Sequence, residues 1–284
     1  MTLDELQEAA VQADLTTAWL GRRYDYVATL DSTNERMKAR VATSGVADAA
    51  YPAGAVLLTD FQSAGRGRLD RRWEAPPGSS LLLSVLLRPP WPARRGPWLT
   101  MLAGLAVAEA IEEVTGISAG LKWPNDVVLA DDAADDSAAE SWRKVCGLLL
   151  DVTFDAAGDR LQSAILGIGL NVNIPAAALP EAATPATSLL VAGGRPVARR
   201  PLLVTLLRRL EGHYEAALAG RSPVDAWSAR LVTLGRRVIV TAADTAAPLR
   251  GTAEAVDEWG CLLVRDDAGR RHTIAAGDVS LRGN

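Results

Sequence analysis

The stretch AVLLTDFQSAGRGRLDRRWEAPPGSSLLLSVLL, residues 55–87, contains the pattern that decides the fold. Two apolar runs of strand length, Ala55–Thr59 and Leu81–Leu87, lie on either side of a polar loop that carries glycines and arginines. Short apolar runs bounded by turn residues are typical of buried strands. The stretch therefore predicts two strands joined by a long loop of unusual chemistry.

Strand-like and helical runs continue on both sides of this stretch. Further strands are predicted at Tyr24–Leu30, Val127–Leu129, Val145–Thr153 and Leu161–Ile168, and helices at Leu99–Val114, closed by Gly116, and at Arg200–Leu218. Ser32, followed three residues later by Glu35, predicts a capping box at another helix start. This mixture of strands and long helices predicts a layered α/β or α+β main domain.

The composition changes near the C-terminus. From Arg236 onward, strand-length segments are separated by turn signals such as DEWG at 257–260 and DDAG at 266–269. Short strands in close succession predict a small β-barrel appended to the main domain. We therefore expect two domains, residues 1–232 and 233–284.

Charge and composition exclude several classes of protein. The chain has 284 residues, with 30 basic against 34 acidic side chains and a net charge of −4. We therefore expect no specific DNA binding and no membrane association. The N-terminus lacks the basic head and apolar run of a secretory signal, and neither of the two cysteines lies in a CxxC. We expect a cytoplasmic protein without a disulfide framework or zinc site.

The loop at Phe61–Trp73, FQSAGRGRLDRRW, predicts an anion-binding site. It holds two glycines and four arginines; glycines let the backbone approach a ligand, and arginines present fixed forks of donors to phosphate or carboxylate oxygens. A flexible surface loop or an RNA-contacting segment is the alternative. The chain contains no GxxxxGK[ST] pattern, so a P-loop nucleotide site is excluded. Because the arginines repel one another, we expect the loop to become ordered only when an anion binds.

Two further segments have both a chemical and a structural interpretation. LKWPND, residues 121–126, places Lys122 at a strand end before a turn, where it could neutralise charge on a reacting phosphoryl group; the alternative is an ordinary Pro-Asn-Asp turn. ILGIGLNVN, residues 165–173, is an apolar strand whose glycines either admit a ligand or only make space. Lys38 and Lys144 are interpreted as ordinary surface lysines.

Gly116–Gly120 matches GxSxG, the nucleophile elbow of serine hydrolases, with Ser118 as the candidate nucleophile. An elbow requires a strand, a sharp turn and then a helix, whereas this motif follows a predicted helix and leads into a strand. Only His213 and His272 could act as the base. The serine hydrolase alternative therefore has the wrong order of elements.

Taken in order, the motifs resemble those of the biotin protein ligases over roughly residues 24–230. They are DSTN (31–34), QSAGRGRxxRxW (62–73), KWPND (122–126), GLLLD (147–151) and GIGLNVN (167–173). The resemblance implies an α+β fold, with a mixed β-sheet and helices in the catalytic domain and an SH3-like β-barrel at the C-terminus. It also implies an enzyme that uses ATP and Mg²⁺ to convert biotin to biotinyl-5′-AMP and transfers biotin to a lysine of a biotin carboxyl carrier protein domain.

The resemblance also implies roles for individual residues. Lys122 and Arg68 are the implied catalytic residues, Lys122 by contacting the biotin carboxylate and the α-phosphate. The residues implied to bind biotin are Ser32, Thr33, Asn34, Gln62, Gly65, Arg66, Gly67, Arg68, Trp73 and Lys122. Those implied to bind the nucleotide are Arg66, Arg68, Trp73, Lys122, Asn125 and Asn171. Trp123 is implied to form an apolar wall with Trp73, and residues 186–189 to cover the adenylate.

The chain departs from the family pattern in two places. Bifunctional members carry a DNA-binding domain at the N-terminus, whereas 31 residues precede Ser32 here, so we expect the monofunctional type. The acidic run at 130–141 has no evident counterpart and is predicted to be a solvated loop rather than a metal site. A lipoate-type ligase or transferase should lack the GRGR loop, and a pure binding module would not need Lys122. The sequence leaves monomer and homodimer open.

Overall fold

The computed structural model describes residues 6–44, 51–131, 142–181, 184–241 and 247–281. The predicted acidic loop falls largely outside these ranges. The strands are β1 (Tyr24–Leu30), β2 (Val56–Gln62), β3 (Ser80–Leu87), β4 (Ala119–Lys122), β5 (Asp126–Ala130), β6 (Trp142–Phe154), β7 (Leu161–Asn171), β8 (Arg237–Thr241), β9 (Leu249–Val256), β10 (Leu262–Asp266), β11 (Arg271–Ile274) and β12 (Asp278–Leu281). The helices are α1 (Glu8–Asp14), α2 (Thr33–Ser44), α3 (Gly96–Thr115), α4 (Leu189–Gly193), α5 (Arg199–Leu218) and α6 (Val224–Ser228).

The first seven strands form one mixed sheet in the order β1-β2-β3-β7-β6-β5-β4. β1 and β2 are parallel because α2 crosses over between them, and the remaining pairs are antiparallel. The loop at 61–73 runs from the end of β2, the second strand from one edge of the sheet, toward β3. This mixed sheet with helices confirms the α+β prediction.

Helices cover the two faces of the sheet unequally. α3 and α5 pack on one face and contribute to the main core. α3 ends where predicted, at Gly116, which has a φ of 76° and donates its N–H to the Glu112 carbonyl. On the other face, α2 inserts Met37 among Leu57, Leu86 and Ile165 in a smaller core. This second face bears the candidate site.

Strands β8–β12 form a separate antiparallel sheet, the C-terminal sheet, in the order β11-β10-β9-β8-β12. Its buried residues, including Val240 and Leu262, belong to the same apolar core as α3. The turn before β10 also contacts the main sheet, because Trp123 Nε1 donates to the Gly260 carbonyl at 2.9 Å. The small C-terminal β unit is as predicted, while its SH3-like character and the 232/233 boundary stay predictions.

None of the helices in the described ranges combines the length and the apolar character that crossing a membrane would require.

Candidate active site

A cavity of about 500 Å³ lies on the α2 face of the main sheet. It brings together ten of the predicted site residues: Ser32, Thr33, Asn34, Gln62, Arg66, Gly67, Arg68, Trp73, Asn125 and Asn171. Gly65 instead lines an adjoining cavity of about 320 Å³, which shares Trp73 as a wall. Lys122 and Trp123 are not among the described residues that line either cavity. Segments far apart in the sequence therefore converge on one site.

The start of α2 forms the polar end of the cavity. Gln62 Oε1 accepts hydrogen bonds from the Thr33 N–H at 2.8 Å and from Thr33 Oγ1 at 3.2 Å, which joins α2 to the end of β2. One bond of the predicted capping box, from the Ser32 N–H to the Glu35 side chain, is wrong. The Ser32 N–H bonds to Asp31 instead, and Glu35 pairs with Lys38 and Arg66. Glu35 thus pairs with an arginine of the loop at 61–73 rather than with the backbone at the start of α2.

Asn34 ties α2 to the sheet beneath it. Its Nδ2 donates to Asp151 Oδ2 at 2.9 Å, and its Oδ1 accepts from Ser84 Oγ at 2.5 Å. A β-carbon at Gly167 would lie 2.5 Å from Asn34 Oδ1, so only glycine leaves room for this amide. Asn34 therefore lines the cavity mainly as a group that positions α2.

The arginines of the loop at 61–73 are held by protein groups. Arg66 pairs with Glu35, Arg71 pairs with Asp278, and Arg72 donates to the Ser63 carbonyl. Arg68 donates to Asn125 Oδ1 at 2.8 Å and to the Gly277 carbonyl at 3.0 Å, and burial lowers the pKa of its guanidinium. Each arginine of the loop therefore has a protein partner, while the expected ordering of the loop by an anion stays a prediction.

Glycines on β6 and β7 make a floor for the indole of Trp73. A β-carbon would lie 2.7 Å from this ring at Gly147 and 2.6 Å at Gly169, closer than side chains normally approach. The indole nitrogen is buried and has no hydrogen-bond partner among the described residues. The glycines of GIGLNVN thus make space for the Trp73 side chain as well as for the cavity.

Gly169→Ala should destabilise the fold through this contact. Overpacking a filled site costs about 1–3 kcal/mol in the free energy of unfolding, which urea denaturation measures. In a Trp73→Ala background the loss should disappear, because the clashing ring is absent. Gly212→Ala in α5, where a β-carbon meets nothing within 4 Å, is the matched control and should be neutral or stabilising. An equal loss with and without Trp73 would contradict the packing.

Lys144 is a site residue that the sequence interpretation missed. Its Nζ lies 2.7 Å from Asp126 Oδ1 and 5.6 Å from the centre of the Trp73 ring, and its side chain lines the cavity. The prediction of an ordinary surface lysine is therefore wrong. β6 bulges beside it: Cys146 pairs with Val127 but Lys144 pairs with Val128, so Val145 is an extra residue. The bulge turns Lys144 toward the face of Gly147.

Lys122 is nearly buried at the edge of the cavity, beside the lining residue Thr184. It is 7% exposed, its Nζ donates to Thr184 Oγ1 at 2.6 Å, and burial lowers the pKa of its ammonium. Trp123, at 2% exposure, contacts the C-terminal sheet and not the cavity, so the expectation that it forms a wall of the site is wrong. Asn125 is the part of KWPND that binds both the loop, through Arg68, and β6, through the Leu148 carbonyl.

The segment at 184–188 closes another side of the cavity. Its backbone pairs with the backbone of Lys144 in β6. The Lys144 N–H donates to the Pro185 carbonyl, and the Lys144 carbonyl accepts from the Thr187 N–H, each at 2.8 Å. Asn171 Nδ2 donates to the Thr187 carbonyl at 3.0 Å, while its Oδ1 is buried without a hydrogen-bond partner among the described residues. Ser188 caps α4. The structure thus joins this segment to the two strands that carry Lys144 and Asn171.

The serine hydrolase alternative has no geometric support. Ser118 is exposed between the end of α3 and β4, outside the described lining of the cavity. His213 pairs with Glu109 at 3.1 Å, and His272 pairs with Asp266 at 2.8 Å. The order is helix, turn and strand, the reverse of a nucleophile elbow.

Comparisons with known proteins agree with the fold. A family model described as "Biotin/lipoate A/B protein ligase family" matches residues 26–171, and one described as "Biotin protein ligase C terminal domain" matches residues 233–282. The "Biotin--[acetyl-CoA-carboxylase] ligase" of Mycobacterium tuberculosis is 33% identical over 281 residues, which cover 96% of this chain and 95% of the relative. The "Bifunctional ligase/repressor BirA" of Bacillus subtilis is 30% identical over 280 residues, covering 98% and 79%.

The similarity extends to solved structures. The biotin protein ligase from Aquifex aeolicus, solved in complex with biotin and ATP, superposes with a TM-score of 0.71 at 27% identity and covers 93% of this chain and 100% of that one. The family models match both the segment that carries the cavity motifs and the segment that forms the C-terminal sheet. The chain therefore belongs to the biotin protein ligase family, the enzymes that ligate biotin to protein.

Proposed function

We propose that the cavity catalyses two steps. A biotin carboxylate oxygen attacks the α-phosphorus of ATP, which breaks the bond to the β-phosphate and releases pyrophosphate. The amine of a lysine on a biotin carboxyl carrier protein domain then attacks the acyl carbon of biotinyl-5′-AMP and loses a proton, while AMP leaves. The convergence of Lys144, Arg68 and Arg71 on one cavity that is polar at its α2 end carries this proposal.

Cations are needed because both reactants of the first step are anions. A carboxylate and a polyphosphate repel each other, and fixed cations in a partly dry site offset that repulsion most as charge moves in the transition state. The Lys144 side chain lines the cavity, whereas the Lys122 ammonium donates its hydrogen bond to Thr184, which itself lines the cavity. We therefore assign the central cation at the reacting atoms to Lys144 and give Lys122 the task of holding Thr184.

The two ends of the cavity suit the two ends of the adenylate. The ureido ring of biotin presents paired N–H donors and a carbonyl, which need polar partners in a mostly apolar slot, and Ser32, Thr33 and Gln62 lie at the α2 end. Arg66, Arg68 and Trp73 are proposed to contact biotin and the nucleotide, with Asn125 and Asn171 on the nucleotide side. Gly65 and Gly67 let the loop backbone turn beside the ligand.

Magnesium would enter with ATP. The described residues contain no group of three or more His, Cys, Asp or Glu side chains that could hold a metal alone. Mg²⁺ is usually held by one or two carboxylates together with substrate phosphates and water. Asp126, which lines the cavity, is the carboxylate proposed to take part, and the ion would neutralise phosphate charge.

Biotin-dependent exchange of labelled pyrophosphate into ATP tests the proposal. We expect exchange with biotin, ATP and Mg²⁺, because adenylate formation is reversible, and none when biotin is omitted. Lipoate in place of biotin is the control for the related ligase class. Exchange with lipoate but not biotin would overturn the substrate assignment, and binding of biotin without any exchange would identify a pure binding module.

The carrier step needs its own measurement. The purified chain should attach labelled biotin to a biotin carboxyl carrier protein domain but not to the same domain with its acceptor lysine replaced by arginine. Labelling of both domains would contradict transfer to a specific lysine.

A further inference from the structure

Asp151, in the second half of β6, binds two residues of α2 with one oxygen. Its Oδ2 accepts a hydrogen bond from Asn34 Nδ2 at 2.9 Å and lies 3.0 Å from Lys38 Nζ. Asn34 and Lys38 are four positions apart, which places them on the same face of a helix. One carboxylate therefore fastens the start of α2 to the sheet, although 117 positions separate Asp151 from Asn34.

The carboxylate also fixes which way the Asn34 amide points. A carboxylate only accepts hydrogen bonds, so the part of the amide that faces Asp151 has to be its NH₂ group. The amide oxygen then faces Ser84, whose hydroxyl donates to it at 2.5 Å. Asn34 and Ser84 are both buried, and Gly167 leaves the room beside the amide. A turned amide would place its oxygen against the carboxylate and lose the bond to Asp151.

Lys38 completes this cluster, although the sequence predicts an ordinary surface lysine. Its side chain is 34% exposed, and its ammonium also lies 2.9 Å from Glu35 Oε1. Burial opposes the charged form, but the hydrogen bonds to Glu35 and Asp151 raise the pKa of the ammonium. Charges that are partly buried are screened less by salt than exposed ones. The lysine therefore supports a carboxylate at the place where the Asn34 amide needs an acceptor.

The start of α2 carries groups of the proposed biotin end of the cavity. Ser32 and Thr33 directly precede Asn34, and all three line the cavity. Asp151 is not among the described lining residues, so it acts on the cavity through α2. The packing of Met37 holds the helix on the sheet, but a hydrophobic contact has no direction. Binding groups must be held within about 0.5 Å of their productive position, and hydrogen bonds supply that precision.

We propose that Asp151 is a positioning residue: supported by Lys38, it sets the start of α2 and the Asn34 amide against the sheet and so places the α2 end of the cavity. The placement of α2 is a property of the chain alone. Its consequence, weaker binding of biotin when the placement is lost, rests on the proposed function.

Hydrogen exchange of Asp151→Asn without ligand tests the placement. The variant keeps the size of the side chain, but an amide both donates and accepts, so both orientations of Asn34 become available. Exchange of the amides at 34–40 should rise about two- to tenfold. Thr153→Val is the matched control, because Thr153 lies two residues further along β6 and bonds to Ser163 at 2.7 Å, outside the described lining of the cavity. It should leave α2 unchanged.

Calorimetry with biotin alone and the kinetics of pyrophosphate exchange measure the consequence. Asp151→Asn should raise the Kd and the KM for biotin about three- to tenfold, the range expected for one hydrogen bond. The KM for ATP and kcat should stay within about twofold, because the change lies at the biotin end. A loss of stability alone would lower the amount of active protein, and with it kcat, and would leave the KM for biotin unchanged.

Lys38→Met examines the cluster from α2 and guards against a folding defect in the Asp151 variant. It removes the charge but leaves Asn34 its acceptor, so it should raise exchange and the KM for biotin by a smaller factor. The double variant should add little to Asp151→Asn alone.

Unchanged exchange of α2 in both single variants, or a fall in kcat with an unchanged KM for biotin, would overturn the role of Asp151. An unmodified chain that neither binds biotin nor exchanges pyrophosphate would contradict the proposed function instead. Hydrogen exchange, which needs no substrate, would still decide whether Asp151 places α2.

Discussion

Lys144→Ala is expected to lower the rate of biotin-dependent pyrophosphate exchange by about 10²- to 10³-fold while the fold is retained. The Lys144 side chain lines the cavity, with its ammonium next to Asp126 and the Trp73 ring. A cation at this place contributes most where charge moves between the carboxylate, the α-phosphorus and pyrophosphate. The loss should therefore appear mainly in the maximal rate. Circular dichroism would verify that the variant is folded.

Lys122→Ala is the matched control for this prediction. The sequence predicts Lys122 as a catalytic cation, and its ammonium bonds to Thr184 at the edge of the cavity. We expect a smaller loss than for Lys144→Ala, and Thr184→Val should reproduce part of it, because both variants remove the same hydrogen bond. If Lys122→Ala abolished exchange and Lys144→Ala left it near normal, the assignment of the central cation would have to be reversed.

Arg68→Gly is expected to separate adenylate formation from adenylate retention. Biotinyl-5′-AMP is a reactive mixed anhydride, so a site that keeps it for a protein acceptor must exclude water and hold the intermediate. The Arg68 guanidinium joins the loop to Asn125 and to the Gly277 carbonyl, at two edges of the cavity. Glycine removes both bonds but leaves Lys144 in place. We therefore expect the variant to make the adenylate and release it.

Labelling of a bystander protein measures this release. With biotin and ATP present, Arg68→Gly should biotinylate lysines of albumin, whereas the unmodified chain should label only the carrier domain. Arg72→Gly is the matched control, since it makes the same change in the same loop at a more exposed arginine that bonds to the Ser63 carbonyl. Normal carrier labelling without any labelling of albumin would remove Arg68 from the proposed clamp.

Much of the fold follows from local patterns. The predicted bounds of β1 match the observed ones, and those of β3, α3 and α5 differ by a few residues, because these elements are apolar runs and α3 also has a clear stop signal at Gly116. The short helices α4 and α6 were not predicted. Five residues are too few for a periodic pattern, and such segments depend on caps and on packing by the rest of the chain.

Some of the residues that line the cavity could also be predicted from local sequence patterns. Arg66, Arg68, Trp73, Asn125 and Asn171 lie in motifs whose residue types are unusual for their surroundings, and the structure brings them together. Asp278 could not be found in this way, because it is one of several aspartates in a small β unit. It reaches the loop only when the two sheets pack against each other.

The sequence by itself determined the mixed α+β architecture, the appended β unit and the arginine loop, because these depend on periodicity, turn residues and local composition. Only the tertiary structure revealed that Lys144 lines the cavity. Strict alternation along β6 places Lys144 on the face of Cys146 and Leu148, but the bulge at Val145 shifts the register by one residue. Val145 and Cys146 then both enter the core, and Lys144 turns to the face of Gly147. A bulge depends on how β6 pairs with β5, and the residue pattern of either strand alone does not predict that pairing.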